Sequence, residues 1–205
     1  MELNNNDDLE KLPDSEIEND DKKLEFKNKI MKEVIEWALV ILISISAAYV
    51  INKFIIVNAD VPTGSMENTI MTNDRVVASR LSYLIGEPER YDIIVFIPPD
   101  EREKLYVKRV IGLPGETVEL IDGKVYIDGR EEPLNDSFTR EESFDNKGPY
   151  HVPENSYFVL GDNRNYSHDS RGWENSSYVP IEDVLGKVIF RYFPRPRIYS
   201  KNQIQ

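Results

Sequence analysis

The chain has 205 residues, 40% of them hydrophobic and 30% charged, a composition that suits one domain with short appendages. Its formal net charge of -12 makes nucleic acid an unsuitable partner, because phosphate contacts need clustered lysine and arginine. The absence of cysteine excludes disulfides, thiolate metal sites and cysteine nucleophiles.

The N-terminal segment, residues 1–33, is acidic, contains repeated asparagine and has few apolar side chains to bury. Burial in such a segment cannot offset the conformational entropy that is lost on ordering. We therefore predict a disordered acidic tail over residues 1–33.

An apolar segment follows, and it predicts a transmembrane helix over residues 34–57. No charged residue occurs from Trp37 to Ile51, and after Lys53 the apolar character continues to Val57. A helix of about 20 residues at roughly 1.5 Å per residue matches the hydrocarbon thickness of a bilayer. Two alternatives stay open: a buried core helix, and a cleaved secretory signal that ends near Ala59.

The bases that flank this segment predict its orientation. Few bases follow it, and the nearest are Lys53 and Arg75. The lysines that precede it closely are Lys22, Lys23, Lys27, Lys29 and Lys32. Because cytoplasmic flanks carry the excess of lysine and arginine, the tail is expected in the cytoplasm and residues 58–205 outside it. The prediction is a single-pass protein of the plasma membrane.

After Ala59 the pattern changes to short runs rich in β-branched residues, which predict strands. These runs are Arg75–Ala78, Tyr91–Ile97, Leu105–Ile111, Thr117–Ile121, Lys124–Ile127, Ser156–Leu160 and Val184–Phe193. A polar stretch at about 131–153 predicts a long mobile loop or a small insert. The fold class that follows for residues 58–205 is mainly β, with antiparallel sheets or a partial barrel.

Two of the segments hold candidate catalytic groups. Ser65 follows Pro62 and Gly64, so its hydroxyl can project from a bent segment, and Lys108 lies within an apolar strand. A serine hydroxyl needs a base to take its proton, and lysine can be that base only when it is neutral. Burial can lower the pKa of a lysine by as much as about 3–5 units. Arg109 cannot replace Lys108, because its guanidinium stays protonated.

A third segment, Gly161–Trp173, forms a dense polar run after a predicted strand. With it the chain resembles bacterial type I signal peptidases, the membrane-anchored Ser/Lys proteases that remove signal peptides from exported proteins. The resemblance rests on four boxes in order: Val61–Met66, Arg90–Phe96, Tyr106–Glu116 and Gly161–Arg171. The chain departs from the pattern at Tyr91, where the family often has glycine, and this difference concerns packing rather than chemistry.

The resemblance implies a fold of the signal-peptidase type and a role for each matching residue, without a metal or a cofactor. Ser65 would be the nucleophile and Lys108 the general base. Thr63, with the Ser65 backbone N–H, would form the oxyanion hole, and Ser167 would orient the Lys108 amine. The residues that would support the polar loop are Asp162, Asp169 and Arg171. The residues that would line the substrate pocket are Val61, Pro62, Met66, Tyr106 and Val107. His168 is expected to be a bystander.

The implied activity is the removal of signal peptides from preproteins at the outer surface of the membrane. The implied partners are the lipid bilayer and preproteins with small residues at the first and third positions before the cleaved bond. One alternative is a catalytically silent homologue that acts as an assembly factor or chaperone for surface proteins. A self-cleaving Ser/Lys repressor is the other, and the apolar segment and the lack of a DNA-binding module disfavour it.

Overall fold

The computed structural model describes residues 14–139 and 141–199, with side chains from Lys23 onward. The chain divides into two compact units, Met1–Tyr49 and Val50–Gln205.

Helix α1, Asp14–Val50, includes every described residue of the first unit and ends at the first residue of the second. A π-helical turn, Ile51–Ile55, follows it. Within the described residues, Lys23–Ile55 is the one helical stretch long and apolar enough to cross a bilayer, and an 18-residue window within it has a mean hydropathy of 2.3. Its side chains are exposed to solvent rather than packed in a core. The hydroxyls of Ser44 and Ser46 donate to backbone carbonyls one turn earlier, so neither is left unsatisfied in an apolar surrounding.

The helix differs in extent from the prediction. It begins at Asp14, whereas we predicted disorder over residues 1–33 and a helix over residues 34–57. Residues 14–33 are rich in glutamate and lysine, which lose little rotamer freedom in a helix. Residues 1–13 of the predicted tail lie outside the described part. At the other end, Ile56 and Val57 belong to a strand.

The described part of the second unit forms eleven strands and one short helix, α2 (Ser82–Ile85). The strands in chain order are β1 (Ile56–Asp60), β2 (Arg75–Ser79), β3 (Ile93–Phe96), β4 (Tyr106–Gly112), β5 (Thr117–Ile121), β6 (Lys124–Ile127), β7 (Lys147–His151), β8 (Ser156–Leu160), β9 (Val179–Pro180), β10 (Val184–Phe193) and β11 (Arg197–Ile198).

The strands form two antiparallel sheets. In the larger sheet the order is β1-β2-β10-β3-β4-β8-β9, with β11 on β10, and in the smaller sheet it is β6-β5-β7. The predicted mainly β class with an apolar N-terminal helix is confirmed. The stretch at about 131–153, for which we predicted a mobile loop or a small insert and no strand, contains β7, which pairs with β5. The sequence pattern does not predict this strand, because it contains Gly148 and Pro149. The structure accommodates them because β7 lies at the edge of its sheet, where proline is tolerated.

Apolar residues cover both faces of the larger sheet. Along β3, Ile93 and Val95 pack into one cluster, and Ile94 and Phe96 pack into another. This alternation follows from the two-residue repeat of a strand. A third cluster fills the space between the smaller sheet and β8, where Phe158 lies. The centre of β4 is therefore shielded from water on both sides, which makes it a place where a lysine loses its hydration.

Candidate active site

Ser65 lies in the connection between β1 and β2, in a turn closed by backbone hydrogen bonds. Val61 N–H donates to Asp74 O at 3.0 Å, and Asn73 N–H donates to Val61 O at 2.7 Å, which fixes the two ends of the connection. Within it, Glu67 N–H donates to Gly64 O at 3.1 Å. The tight turn leaves Ser65 only 7% exposed.

Lys108 lies in β4, opposite Ile94 of β3, and it is 3% exposed. Its Nζ is hydrogen-bonded to Ser65 Oγ. The same amine lies 5.4 Å from the centroid of the Tyr106 ring. The structure therefore brings together the two groups that the sequence singled out, although 43 residues separate them along the chain.

Burial lowers the pKa of Lys108 from 10.5 to about 8, because the charged amine loses its hydration. The negative charges of Asp169 and Asp162 oppose this shift, and the positive charge of Arg171 adds to it. With a pKa of about 8, roughly a tenth of the amine is neutral at pH 7. A neutral amine that contacts a serine hydroxyl can accept its proton.

The polar loop Gly161–Trp173, here called the catalytic loop, binds the serine turn directly. Asn163 N–H donates to Ser65 O at 3.1 Å, and Asn163 Nδ2 donates to Gly64 O at 3.0 Å. Gly161 packs so closely that a Cβ added to it would lie 2.4 Å from Ser65 O. The sequence did not predict that Gly161 and Asn163 contact the serine turn, although both belong to the box Gly161–Arg171 that carries the resemblance.

Asp169 and Arg171 form an ion pair within this loop, as the resemblance implies. Arg171 Nε donates to Asp169 Oδ1 and Arg171 Nη2 to Asp169 Oδ2, each at 2.8 Å. Asp169 also accepts a hydrogen bond of 3.0 Å from Gly161 N–H. Burial would raise the pKa of Asp169, but Arg171 and the Gly161 N–H outweigh it and keep the pKa below its usual value. Asp169 therefore stays ionised in the interior.

Asp162 has a different partner, Arg109, which follows Lys108 in β4. Arg109 Nε donates to Asp162 Oδ1 at 2.8 Å and Arg109 Nη2 to Asp162 Oδ2 at 2.6 Å, and both side chains are buried. The guanidinium also lies 4.1 Å from the ring centroid of Phe138. Lys108 and Arg109 thus have separate partners, as expected for neighbours on a strand. The pairing of Arg109 was not predicted.

The structure differs from the expectation for Ser167. Its Oγ is buried and does not form the expected bond to the Lys108 amine in this structure, although it lies near enough to the Asp169 carboxylate to help lower the pKa of that group. The hydroxyl lies over Gly161 instead, since a Cβ on that glycine would come within 2.2 Å of it. Close packing of these two residues explains the orientation of the side chain.

The two expected oxyanion donors are free to bind a substrate. Thr63 is exposed, and within the described residues neither its hydroxyl nor the Ser65 N–H has a hydrogen-bond partner. An oxyanion hole needs such uncommitted donors, since a donor that is already bonded cannot stabilise a new charge.

Ser65 and Lys108 open into a cleft of about 480 Å³. Its apolar lining includes Val61, Pro62, Leu105, Tyr106 and Val107, and its polar lining includes Asp60, Thr63, Glu101, Lys104, Tyr166 and His168. The prediction that Met66 lines the pocket is wrong, because its side chain is fully buried in the hydrophobic core. Directly after Ser65 in a tight turn, Met66 points to the opposite side, where it packs with residues such as Ile70.

The geometry does not support a pairing of Ser65 with His168. His168 lies at the cleft with its side chain 54% exposed, and its Nε2 is 3.8 Å from Asp100 Oδ2. The hydrogen-bond partner of Ser65 Oγ in the described part of the chain is Lys108.

Comparisons with known proteins agree on one family. The family described as signal peptidase, peptidase S26, matches residues 34–193. The chain is 40% identical over 172 residues to signal peptidase I S of Bacillus subtilis (strain 168), which covers 80% of this chain and 91% of that one. It is 37% identical over 163 residues to signal peptidase I of Leptolyngbya laminosa, and the match covers 76% of this chain and 78% of that one.

A probable signal peptidase I-2 of Synechocystis is 39% identical over 143 residues, covering 67% of this chain and 63% of that one, so the chain spans less than two thirds of this relative. Among solved structures, a signal peptidase I from Enterococcus faecalis V583 is 36% identical, covering 50% of this chain and 97% of that one, with a TM-score of 0.38. The fold assignment rests on the strand pairing described above rather than on this match.

Proposed function

The chain belongs to the signal peptidase family of serine proteases, peptidase S26, and from this membership we propose that it cleaves signal peptides from preproteins by a Ser65–Lys108 dyad. The observation that carries the proposal is the hydrogen bond between Lys108 Nζ and Ser65 Oγ in a site where both residues are buried. Burial keeps part of the amine neutral, and contact lets it take the serine proton.

The first half of the reaction forms an acyl-enzyme. Lys108 Nζ accepts the proton of the Ser65 hydroxyl while Oγ attacks the carbonyl carbon of the scissile peptide. The negative charge that develops on the carbonyl oxygen is stabilised by the Ser65 N–H and the Thr63 hydroxyl. The protonated Lys108 then gives its proton to the leaving amine, and the C–N bond breaks.

The second half releases the signal peptide. Lys108, neutral again, takes a proton from a water molecule that attacks the ester carbonyl of the acyl-enzyme. The tetrahedral intermediate collapses, the proton returns to Ser65 Oγ, and the new carboxyl group leaves.

The cleft supports a substrate with small apolar side chains. Val61, Pro62, Tyr106 and Val107 supply apolar walls to the same cleft that Ser65 lines. Small residues at the first and third positions before the cleaved bond fit these walls, whereas large side chains would have to displace them. We propose this preference for the protein.

The proposed setting is the outer surface of the plasma membrane. One apolar helix is present, Lys23–Ile55, and lysines precede its apolar part more densely than they follow it. This asymmetry supports a cytoplasmic N-terminus and an extracytoplasmic catalytic domain. An exported preprotein presents its cleavage site on that same side.

The test uses the full chain in detergent or proteoliposomes with a preprotein substrate, and mass spectrometry of the products. Ser65→Ala and Lys108→Met should each abolish cleavage, while the exposed-lysine variant Lys124→Met should cleave as the unaltered protein does. Undiminished cleavage by either dyad variant would reject the mechanism. An unaltered protein that binds the preprotein and leaves it intact would favour the chaperone role instead.

A further inference from the structure

Arg171 connects three parts of the molecule. Besides its two bonds to Asp169, its Nη2 donates to Arg164 O at 2.7 Å, which fixes the single turn that precedes Ser167. Its Nη1 donates to Asp145 Oδ2 at 2.5 Å, outside the catalytic loop. The guanidinium is 5% exposed, so its position is set by these partners rather than by water.

Asp145 reaches Arg171 from the segment that leads into β7 of the smaller sheet. Its own backbone carbonyl accepts a hydrogen bond of 2.9 Å from Gly123 N–H, in the turn between β5 and β6. That turn packs tightly on the same segment, since a Cβ on Gly123 would lie 1.7 Å from Ser143 O. Asp145 is therefore held by the smaller sheet before it meets the arginine.

A second contact links the same two regions. Lys147 Nζ, at the start of β7, donates to Arg171 O at 3.1 Å. Both the side chain and the carbonyl of Arg171 thus bind residues that come from the smaller sheet. The cleft itself has no lining residue from this sheet, so the sheet does not contact the substrate there.

We propose that Asp145 is a positioning residue for the Ser65–Lys108 dyad, and that it acts by holding Arg171 and, through it, Asp169 and the catalytic loop. The route runs from Asp145 to Arg171, to Asp169, and to Gly161, whose backbone packs against Ser65 O. The smaller sheet then has a role in catalysis, because it presents this carboxylate. This inference rests on the proposed function.

The test compares Asp145→Asn, Asp145→Glu and the control Glu116→Gln in the full chain, with steady-state cleavage of one preprotein. Glu116 binds Arg90 in a half-buried ion pair that contacts no residue of the catalytic loop among the described residues, so its variant gives the cost of losing such a pair elsewhere. Asp145→Asn should lower kcat about threefold to tenfold with KM changed less than about twofold, since Asp145 is partly exposed and does not line the cleft.

Asp145→Glu keeps a carboxylate at this position, so its kcat should be closer to that of the unaltered protein than to that of Asp145→Asn. If any substitution at position 145 lowered kcat only by disturbing the local structure, Asp145→Glu would not recover it. Thermal unfolding should shift by similar amounts in Asp145→Asn and Glu116→Gln. A kcat of Asp145→Asn equal to that of the control, a loss confined to KM, or no recovery with Asp145→Glu would overturn the inference. These outcomes require an active unaltered protein, so an unaltered protein that does not cleave would count against the proposed function instead.

Discussion

The backbone of Gly161 lies directly against the carbonyl oxygen of Ser65, with no room for a side chain between them: a Cβ on Gly161 would lie 2.4 Å from Ser65 O. The same Cβ would lie 2.2 Å from Ser167 Oγ. The backbone of the catalytic loop therefore contacts the backbone of the serine turn, and this contact sets the position of Ser65 relative to Lys108.

We predict that Gly161→Ala lowers kcat/KM by about 100-fold or more, because the serine turn has to move and small displacements of reacting groups are costly. Gly172→Ala is the matched control in the same loop, since a Cβ there would be 3.7 Å from its nearest neighbour, His168 Nδ1. Cleavage kinetics and thermal unfolding of both variants provide the measurement. Equal kinetics in the two variants would contradict the predicted displacement.

The activity should follow the ionisation of Lys108. Its pKa is lowered to about 8 by burial, and only the neutral amine can take the serine proton. We expect kcat/KM to rise about tenfold per pH unit below this value and to level off above it. A pH series of cleavage rates, with a substrate that lacks titrating groups near the scissile bond, checks this. A rate that stays constant between pH 6 and 8 would be inconsistent with Lys108 as the base.

The same shift makes Lys108 a source of instability near neutral pH. The folded protein loses this proton at a pH of about 8 and the unfolded chain at about 10.5, so stability rises as the pH increases through this window. Lys108→Met removes the cost of burying the charged amine, and we expect it to raise the free energy of unfolding by roughly 1–3 kcal/mol at pH 7. The gain should shrink above pH 8 in denaturant titrations. A gain that is independent of pH would show that it comes from apolar packing alone.

The pairing of Arg109 with Asp162 gives a prediction about stability rather than chemistry. The Asp162 side chain has no exposed surface and that of Arg109 is 3% exposed, so removing one partner leaves a buried charge unpaired. Arg109→Met should cost about 3–5 kcal/mol of the free energy of unfolding. The double variant Arg109→Met/Asp162→Asn should be less destabilised than Arg109→Met, because no charge is left unpaired. A double variant as unstable as the sum of both single variants would contradict the coupling.

The sequence was sufficient to predict strands β2 to β6, β8 and β10 and to single out Ser65 and Lys108, because these signals are local. The runs at Thr117–Ile121 and Lys124–Ile127 carry alternating residues around Asp122-Gly123, and both form strands where expected. Ser65 follows Pro62 and Gly64 in a bent segment, and Lys108 lies within an apolar run, so each is recognisable from its neighbours in sequence. Contacts between distant segments have no such signal: the bonds of Asn163 to Gly64 and Ser65 depend on how two loops meet in space.

Two errors have physical reasons of the same kind. Strand β7 forms because it pairs with the edge of β5. Its own sequence, which includes Gly148 and Pro149, does not favour a strand. The resemblance assigned Met66 to the cleft, but the turn directs its side chain into the core. In both cases tertiary packing decides the outcome.

The departure at Tyr91 from the family pattern has a conformational cost that can be measured. Tyr91 has a φ of +72°, in the left-handed region that favours glycine. Its N–H donates to Val110 O at 2.8 Å and its carbonyl accepts from Arg109 Nη1 at 3.0 Å, so these bonds hold the backbone in that conformation. The ring meets Phe138 edge-on at 5.8 Å, a contact that offsets part of the cost.

Tyr91→Gly removes both the ring contact and the cost of the left-handed backbone, whereas Tyr91→Ala removes the ring and keeps that cost. We therefore expect Tyr91→Gly to be more stable than Tyr91→Ala by about 1 kcal/mol, measured by denaturant unfolding of the full chain. Both variants should retain cleavage activity, because Tyr91 does not line the cleft. Equal stabilities would mean that the backbone relaxes from the left-handed conformation once the ring is gone, and that the two hydrogen bonds do not fix it.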